Sequence, residues 1–310
     1  MRSRTTSDTD IAELLATLRT ARFTNGIRCP RCNCDRVQRW GQFLGRQRYR
    51  CRGCGRTFSD LTGTPAAYIK KLRLWDRYAD CMRASMSVRC SAARLGIHPT
   101  TAFRWRHRLL NALRTRPGET LSGWIELDTT RFPYSEKGQR RRHHPPRRRG
   151  LSGWERLAHP NVSVLIVCDR GGHLIHALCG RGRPSAMDLE RAVAGRIAGR
   201  PTLCAEHGQF GIGRGLMHRY RGRFFDARTG AASGKDARLV HVRTARAAQV
   251  RLHDWIQRFR GVATKYLANY LVWHCHVDRA IRQGMAAEVL RWPLATTPES
   301  TPRRPGVPRR

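Results

Sequence analysis

The sequence predicts an α+β chain of several domains: a small cysteine-built module, a helical module, and a β-rich α/β domain with a mixed sheet and flanking helices. Three observations carry this. Four cysteines stand as two close pairs, Cys29/Cys32 and Cys51/Cys54. Apolar residues recur at helical spacing through 67–115. From Trp124 onward, short apolar runs of strand length occur at 124–128, 162–168, 173–179 and 201–205, with helical patterns at 185–198, 244–260 and 263–282.

A short amphipathic helix is expected at 10–22, with Ile11, Leu14, Leu15 and Leu18 on one face, inside an N-terminal segment of residues 1–25. The module at 26–62 follows. Cys29-Pro-Arg-Cys32 and Cys51-Arg-Gly-Cys54 form two C-x2-C knuckles separated by 18 residues. Zinc takes four soft ligands in a tetrahedron, and two such knuckles spaced by a hairpin supply them, so the module reads as a zinc ribbon. The alternative is a pair of redox dithiols, which the repeated spacing disfavours. Cys34 is read as a spare thiol, and Phe58 as the cap of a small core. Four thiolates close the coordination shell, which makes this zinc structural rather than catalytic.

Charge narrows the class of partner. The 310 residues hold 60 Lys and Arg against 22 Asp and Glu, a net charge of +38 spread along the chain. Such a field attracts polyanions, nucleic acid first and an anionic membrane surface second. Nearly all the cations are Arg, Lys standing only at 70, 71, 137, 235 and 265. No apolar run approaches the roughly 20 residues of a membrane span, and Met1 to Asp10 has no apolar core of a secretory signal. Eleven cysteines without such a signal point to a reducing, cytoplasmic setting, with the clustered ones serving a metal.

The helical module at 67–115 contains a helix-turn-helix pattern over Ser87–Arg108. Ala92, Ala93 and Leu95 are expected on the inner face of a first helix, Gly96 in a left-handed turn, and Ile97 in the corner. His98 or Thr100 would cap a second helix whose exposed face carries Thr101, Arg104, Arg106 and Arg108, suited to phosphates and the major groove. Phe103 and Trp105 are expected to pack inward. The alternative is an ordinary helical hairpin with a basic face.

A composition break at Thr115-Arg-Pro-Gly118 opens the last domain, placed at 121–285. Trp124-Ile-Glu-Leu-Asp128 and Thr202-Leu-Cys-Ala-Glu206 are both strand-like runs ending in an acid. Carboxylates at neighbouring strand ends can hold paired Mg²⁺ ions for phosphodiester chemistry, although acids also end strands simply because turns follow. Asp169 reads as a hairpin-turn residue. Between Lys137 and Arg149 stand seven cations in thirteen residues, including Arg140, Arg141, Arg142, Arg147, Arg148 and Arg149. Prolines within the run oppose a helix, and the run reads as an arm tracking a DNA backbone. The Pro/Thr/Arg-rich stretch 296–310 is expected to be a disordered basic tail.

Together these residues resemble the IS1595-type (ISXO2-like) insertion-sequence transposases over roughly 25–282. The ribbon cysteines with Tyr49-Arg-Cys51, the run Thr101–Arg108, the strand Trp124–Asp128, the basic loop after it, and Arg258-Phe-Arg-Gly-Val-Ala-Thr-Lys-Tyr-Leu-Ala-Asn-Tyr270 carry the likeness. The resemblance implies an RNase H-like fold in the last domain and cutting and joining of DNA with two Mg²⁺ ions. It implies terminal inverted repeats and target DNA as substrates, a multimeric complex on them, and work on a bacterial nucleoid. It points to Asp128 and Glu206 as metal ligands.

The chain departs from the family at those positions. Thr129 follows Asp128 where the family has Glu, and Glu206 stands where the family has Asp before Gly. The third ligand, Asn in the family, falls within 241–249, where this chain offers Thr244 and Arg246; Asp254 lies further along the same helix. Two readings follow: a Mg²⁺-dependent transposase, or a catalytically inactive DNA-binding protein of transposase descent. An RNA-binding ribbon protein is a third.

Overall fold

The computed structural model describes residues 15–282, apart from 17, 21, 44, 115–119, 140–159, 207–212, 214, 215, 217 and 228–238. The first part of the N-terminal helix, the arginines of the 137–149 run and the 296–310 tail lie outside the described residues. The described chain forms two compact units, one within Met1–Arg116 and one within Pro117–Ala286.

In the first unit, three antiparallel strands form a small sheet in the order β1 (Val37–Phe43), β2 (Arg46–Cys51) and β3 (Thr57–Ser59). One face closes on Cys29, Tyr49, Cys51 and Phe58, with the Tyr49 and Phe58 rings stacked at 5.3 Å. Arg19 anchors the preceding segment by a 2.7 Å ion pair to the buried Asp60.

Three helices follow: α1 (Trp75–Arg83), α2 (Val88–Leu95) and α3 (Pro99–Arg114). Ser87 caps α2 by accepting from Cys90 N–H at 3.2 Å. Gly96 ends it at φ 60°, a left-handed conformation that needs no Cβ. The first helical residue of α3 is Pro99, whose missing N–H costs nothing there. His98 Nδ1 accepts from Thr100 N–H at 3.2 Å, so His98 caps α3 rather than Thr100. Trp105 sits between Trp75 and Tyr78, edge to face at 5.7 and 5.4 Å, and Tyr78 donates its hydroxyl to the Ala102 carbonyl.

The second unit is a five-stranded mixed sheet in the order β6-β5-β4-β7-β8. The strands β4 (Trp124–Pro133), β5 (Asn161–Asp169) and β6 (Leu174–Arg181) form an antiparallel meander. Strands β7 (Thr202–Ala205) and β8 (Arg223–Asp226) extend it in parallel with β4. Strand β8 lies inside the Gly/Arg-rich stretch where periodicity gives no signal.

Alternation along β4 and β5 divides the side chains between two cores. Ile125, Leu127, Leu165 and Val167 pack with Leu189 and Val193 of α4 (Ala186–Val193). Val162, Val164 and Phe132 pack with Leu252 of α5 (Arg243–Gln257) and with Leu267 and Leu271 of α6 (Thr264–Arg282). Strand β5 is therefore buried on both sides, which is why its stretch Val164–Cys168 reads as one unbroken apolar run. Asp169 turns the β5–β6 connection: its carboxylate accepts His173 N–H at 2.9 Å and Ser122 N–H at 3.0 Å.

The Arg258–Tyr270 segment joins α5 to α6. Arg260 and Gly261 take positive φ, Thr264 and Ser135 exchange bonds of 2.9 and 2.8 Å, and Phe259 and Tyr270 pack edge-on or tilted against Trp255 and Trp273. The motif is a structural clasp between the helices and the end of β4. Among the described residues, no helix is long and apolar enough to cross a membrane.

Candidate metal centre and nucleic-acid interface

The two C-x2-C turns bring their sulfurs together. Asn33 at φ 59° returns its N–H to the Cys29 carbonyl at 2.9 Å, and Gly55 at φ 67° does the same for Cys51 at 2.9 Å. Cys29 Sγ lies 3.7 Å from Cys54 Sγ, and Cys32 Sγ 3.6 Å from Cys51 Sγ, with all four within 4.8 Å of one another. A tetrahedron with zinc–sulfur bonds of about 2.3 Å has edges of roughly 3.8 Å, so these thiols fit zinc and leave no open position. The backbone N–H of Cys54 draws the Cys51 thiol down, while its neighbours Cys32 and Cys29 are pushed up, as expected of thiols that share negative charge at close range. Gly53 is required here: a Cβ would stand 2.9 Å from Cys34 Sγ. Among the described residues, these cysteines are the one cluster of three or more metal-ligating side chains.

Helix α3 offers Arg104 and Arg108 to solvent, with Thr101 half-buried beside them. Arg108 also donates to the Ala67 carbonyl at 2.7 Å. Arg106 does not belong to this face. It is 0% exposed and donates to the Met86 carbonyl at 2.5 Å. The reason is helical geometry: position 106 follows Ala102 by four residues and precedes Leu109 by three, which places it on the inward stripe. Ala93 is likewise exposed, its inner place being taken by the fully buried Ser91. Phe103 is only half-buried and packs its ring at 4.3 Å on His107. Burial, and then the neighbouring Arg106 charge, holds the His107 imidazole down to about 4.

In the second unit, β4 and β7 run in parallel with Leu127 opposite Ala205. Asp128 is the next residue of β4, and Glu206 the first residue past the end of β7. Two features there were not anticipated. First, Arg246, in the first turns of α5, forms an ion pair with Glu206. Second, the carboxylate held most firmly is that of Glu126, two residues before Asp128 and 0% exposed. It accepts Thr244 N–H at 2.8 Å, the Thr244 hydroxyl at 3.0 Å, Ala245 N–H at 3.1 Å and Arg170 Nε at 3.3 Å. His241 Nδ1 lies 3.2 Å away. Glu126 is thus a cap for α5 supplied from a strand, and it satisfies N–H groups that Val242, the residue before the helix, leaves open. Alternation along β4 was the available signal, since residues 126, 128 and 130 share a face. Asp128 accepts its own neighbour's N–H, from Thr129, at 2.7 Å. Thr130 meets His253 at 2.7 Å and Gln249 at 3.3 Å.

Residues 10–57 match the transposase zinc-ribbon domain of the IS1595 type. The chain is also 36% identical over 169 residues to an uncharacterized protein in transposable element ISH50 of Halobacterium salinarum. That alignment covers 53% of this chain and 56% of its relative, so the chain spans little more than half of that protein's length. The chain thus carries a zinc ribbon of the IS1595 transposase type and, over about half its length, is similar to a protein of an insertion element.

Proposed function

We propose that this protein is a DNA-binding protein of transposase descent that does not assemble a two-metal strand-transfer centre. The observation that carries the reading is the Arg246–Glu206 ion pair. A guanidinium on the carboxylate that would ligate Mg²⁺ supplies the neutralising charge itself and repels a divalent ion. Thr244, the other residue at the third-ligand position, is committed to Glu126. Asp128 and Glu206 as they stand do not fit a pair of divalent cations.

DNA binding is supported by the transposase ribbon, by the +38 charge, and by α2 and α3 joined through a three-residue turn. Under this reading the two helices act as a helix-turn-helix, with Thr101, Arg104 and Arg108 toward duplex DNA. A mixed sheet packed by helices on both faces supports the RNase H-like expectation for the second unit, which serves here as scaffold. The ends of the parent element are the DNA recognised, with two or more copies bound to the repeated ends.

The test is strand transfer by purified protein on the DNA flanking its own gene, with Mg²⁺ or Mn²⁺, beside Asp128→Ala and Arg246→Asn. The expected result is binding that weakens steeply with salt and no joining by the unaltered chain. Metal-dependent joining that disappears in Asp128→Ala overturns the reading and restores a working transposase using Asp128 and Glu206.

A further inference from the structure

The outer face of the ribbon sheet, opposite the cysteine core, has no role in holding zinc. Strand β2 places Arg46, Arg48 and Arg50 at every second position, so they line one face about 7 Å apart, while Tyr49 and Cys51 turn inward. Strand β1 adds two large rings to the same face. Phe43 is opposite Arg46, and Trp40 lies in the irregular stretch between Arg39 and Gln42, where β1 shifts register past Arg48. Trp40 is 44% exposed and Phe43 63% exposed. The Arg50 guanidinium stands over the Trp40 ring at 4.6 Å. From Arg36 to Ser59 the sequence holds seven arginines and neither Asp nor Glu.

Charge selects the partner. A second copy of this face would bring arginines against arginines, and an apolar protein surface would leave their charges unpaired. A duplex would use the arginines through its phosphates but keeps its base faces stacked inside, leaving the two rings without a purpose. A single strand offers both complements, phosphates for the arginines and open base faces for Trp40 and Phe43. We infer that the outer face of the ribbon hairpin is a binding platform for unpaired DNA, with bases stacking on Trp40 and Phe43 and the backbone following Arg46, Arg48 and Arg50. This rests on the DNA-binding reading and adds a second mode to it, separate from the duplex contacts of α3.

The experiment uses the full-length, zinc-loaded chain. Its probes are a labelled oligothymidylate of about 12 nucleotides, the same strand paired with oligodeoxyadenylate, and oligouridylate. The double variant Trp40→Ala/Phe43→Ala is expected to lose about 30-fold or more in affinity for oligothymidylate while duplex affinity holds within about twofold. Trp40→Phe should restore most of the loss at that position, which a merely damaged fold would not allow. Zinc content per chain, measured on each variant, should stay at the unaltered level. Arg46→Ala should lower the slope of log affinity against log salt for the single strand by about 0.7.

An equal loss for duplex and single strand, or no loss, overturns the platform but leaves DNA binding by α3 standing. Failure of the unaltered protein to bind any DNA overturns the DNA-binding reading itself. Tighter binding of oligouridylate, lost in the same variant, overturns the assignment to DNA.

Discussion

The cysteine cluster of the first unit and the carboxylates of the second are both made by chain segments meeting side by side, and both invite a cation. They differ in what surrounds the ligands. The four thiols meet one another, backbone N–H groups and the apolar side chains of the ribbon core, at separations that a zinc tetrahedron requires. Asp128 and Glu206 meet a protein already supplied with cations, and Arg246 reaches Glu206 first. Ligand type and spacing therefore decide a metal site only where no fixed charge competes. In a chain with 60 basic residues such competition is the ordinary condition for an exposed carboxylate, whereas the cysteine sulfurs lie against one another and the ribbon core.

The largest effect expected from this contrast is zinc removal. Structural zinc contributes on the order of 10 kcal/mol to the module it closes, so a chelator or Cys51→Ser should unfold residues 26–62. The second unit should stay folded. Hydrogen exchange resolved by segment checks this, and cooperative loss of the whole chain would break the comparison by joining the two units.

Next is Glu126→Ala. It leaves the first N–H groups of α5 and the Arg170 guanidinium facing a buried void, and should cost the second unit about 3–5 kcal/mol, read as a shift in denaturant midpoint. Asp128→Ala, on the same strand face but half-exposed, should cost less than about 1 kcal/mol. Equal losses would mean that Glu126 is not the keystone its contacts indicate.

A pH effect of about 2–3 kcal/mol is expected in the second unit. His274 is buried against His176, Nδ1 to Nε2 at 3.0 Å. Burial holds its imidazole down to about 4, against an upward pull from Asp278, and His176 is displaced in the same direction by burial. The folded imidazoles are neutral where the unfolded ones begin to take protons, near 6.5. Stability is therefore full above about 6.5 and falls as pH drops toward 4. His274→Gln should flatten that fall in the unfolding free energy; an unchanged pH profile would place its cause elsewhere.

The smallest effects separate two arginines of one helix. Arg106→Ala should destabilise the first unit by about 1–3 kcal/mol, since it strips the Met86 carbonyl of a buried donor, and should leave the salt slope of duplex binding unchanged. Arg104→Ala should do the reverse, lowering that slope by about 0.9 with stability held. If both change binding alike, α3 presents a different face to DNA.

Much of this was legible in the chain itself, and the reasons are specific. The zinc knuckles are local: each pair of ligands is set by four consecutive residues, and only the meeting of two turns remained to be made. Strand β5 announced itself because burial on both faces leaves no polar position in Val164–Val167. The helix pair showed through Gly96, tied to a left-handed turn, and through the apolar spacing of Ala92, Leu95 and Ile97; the capping bond of Ser87 became visible only in the structure. Arg106 is buried although its residue type suggests an exposed place, because its distances from Ala102 and Leu109 fix it on the inner stripe. Strand β8 is too short, at four residues, to establish a period within a Gly/Arg-rich stretch.

The sequence by itself determined the metal that the first unit suits, the strong excess of positive charge and most of the order of its elements, because these depend on residue type, charge and near-neighbour spacing. The fate of the acidic positions was decided only in three dimensions. Glu126 and Thr244 are 118 residues apart, and Glu206 and Arg246 are 40 apart. Strand alternation puts Glu126 and Asp128 on one face, but only the docking of α5 decides which carboxylate receives helix N–H groups and which receives a guanidinium. An ion pair between distant residues carries no local signature, since its energy depends on a distance that the chain acquires only on folding.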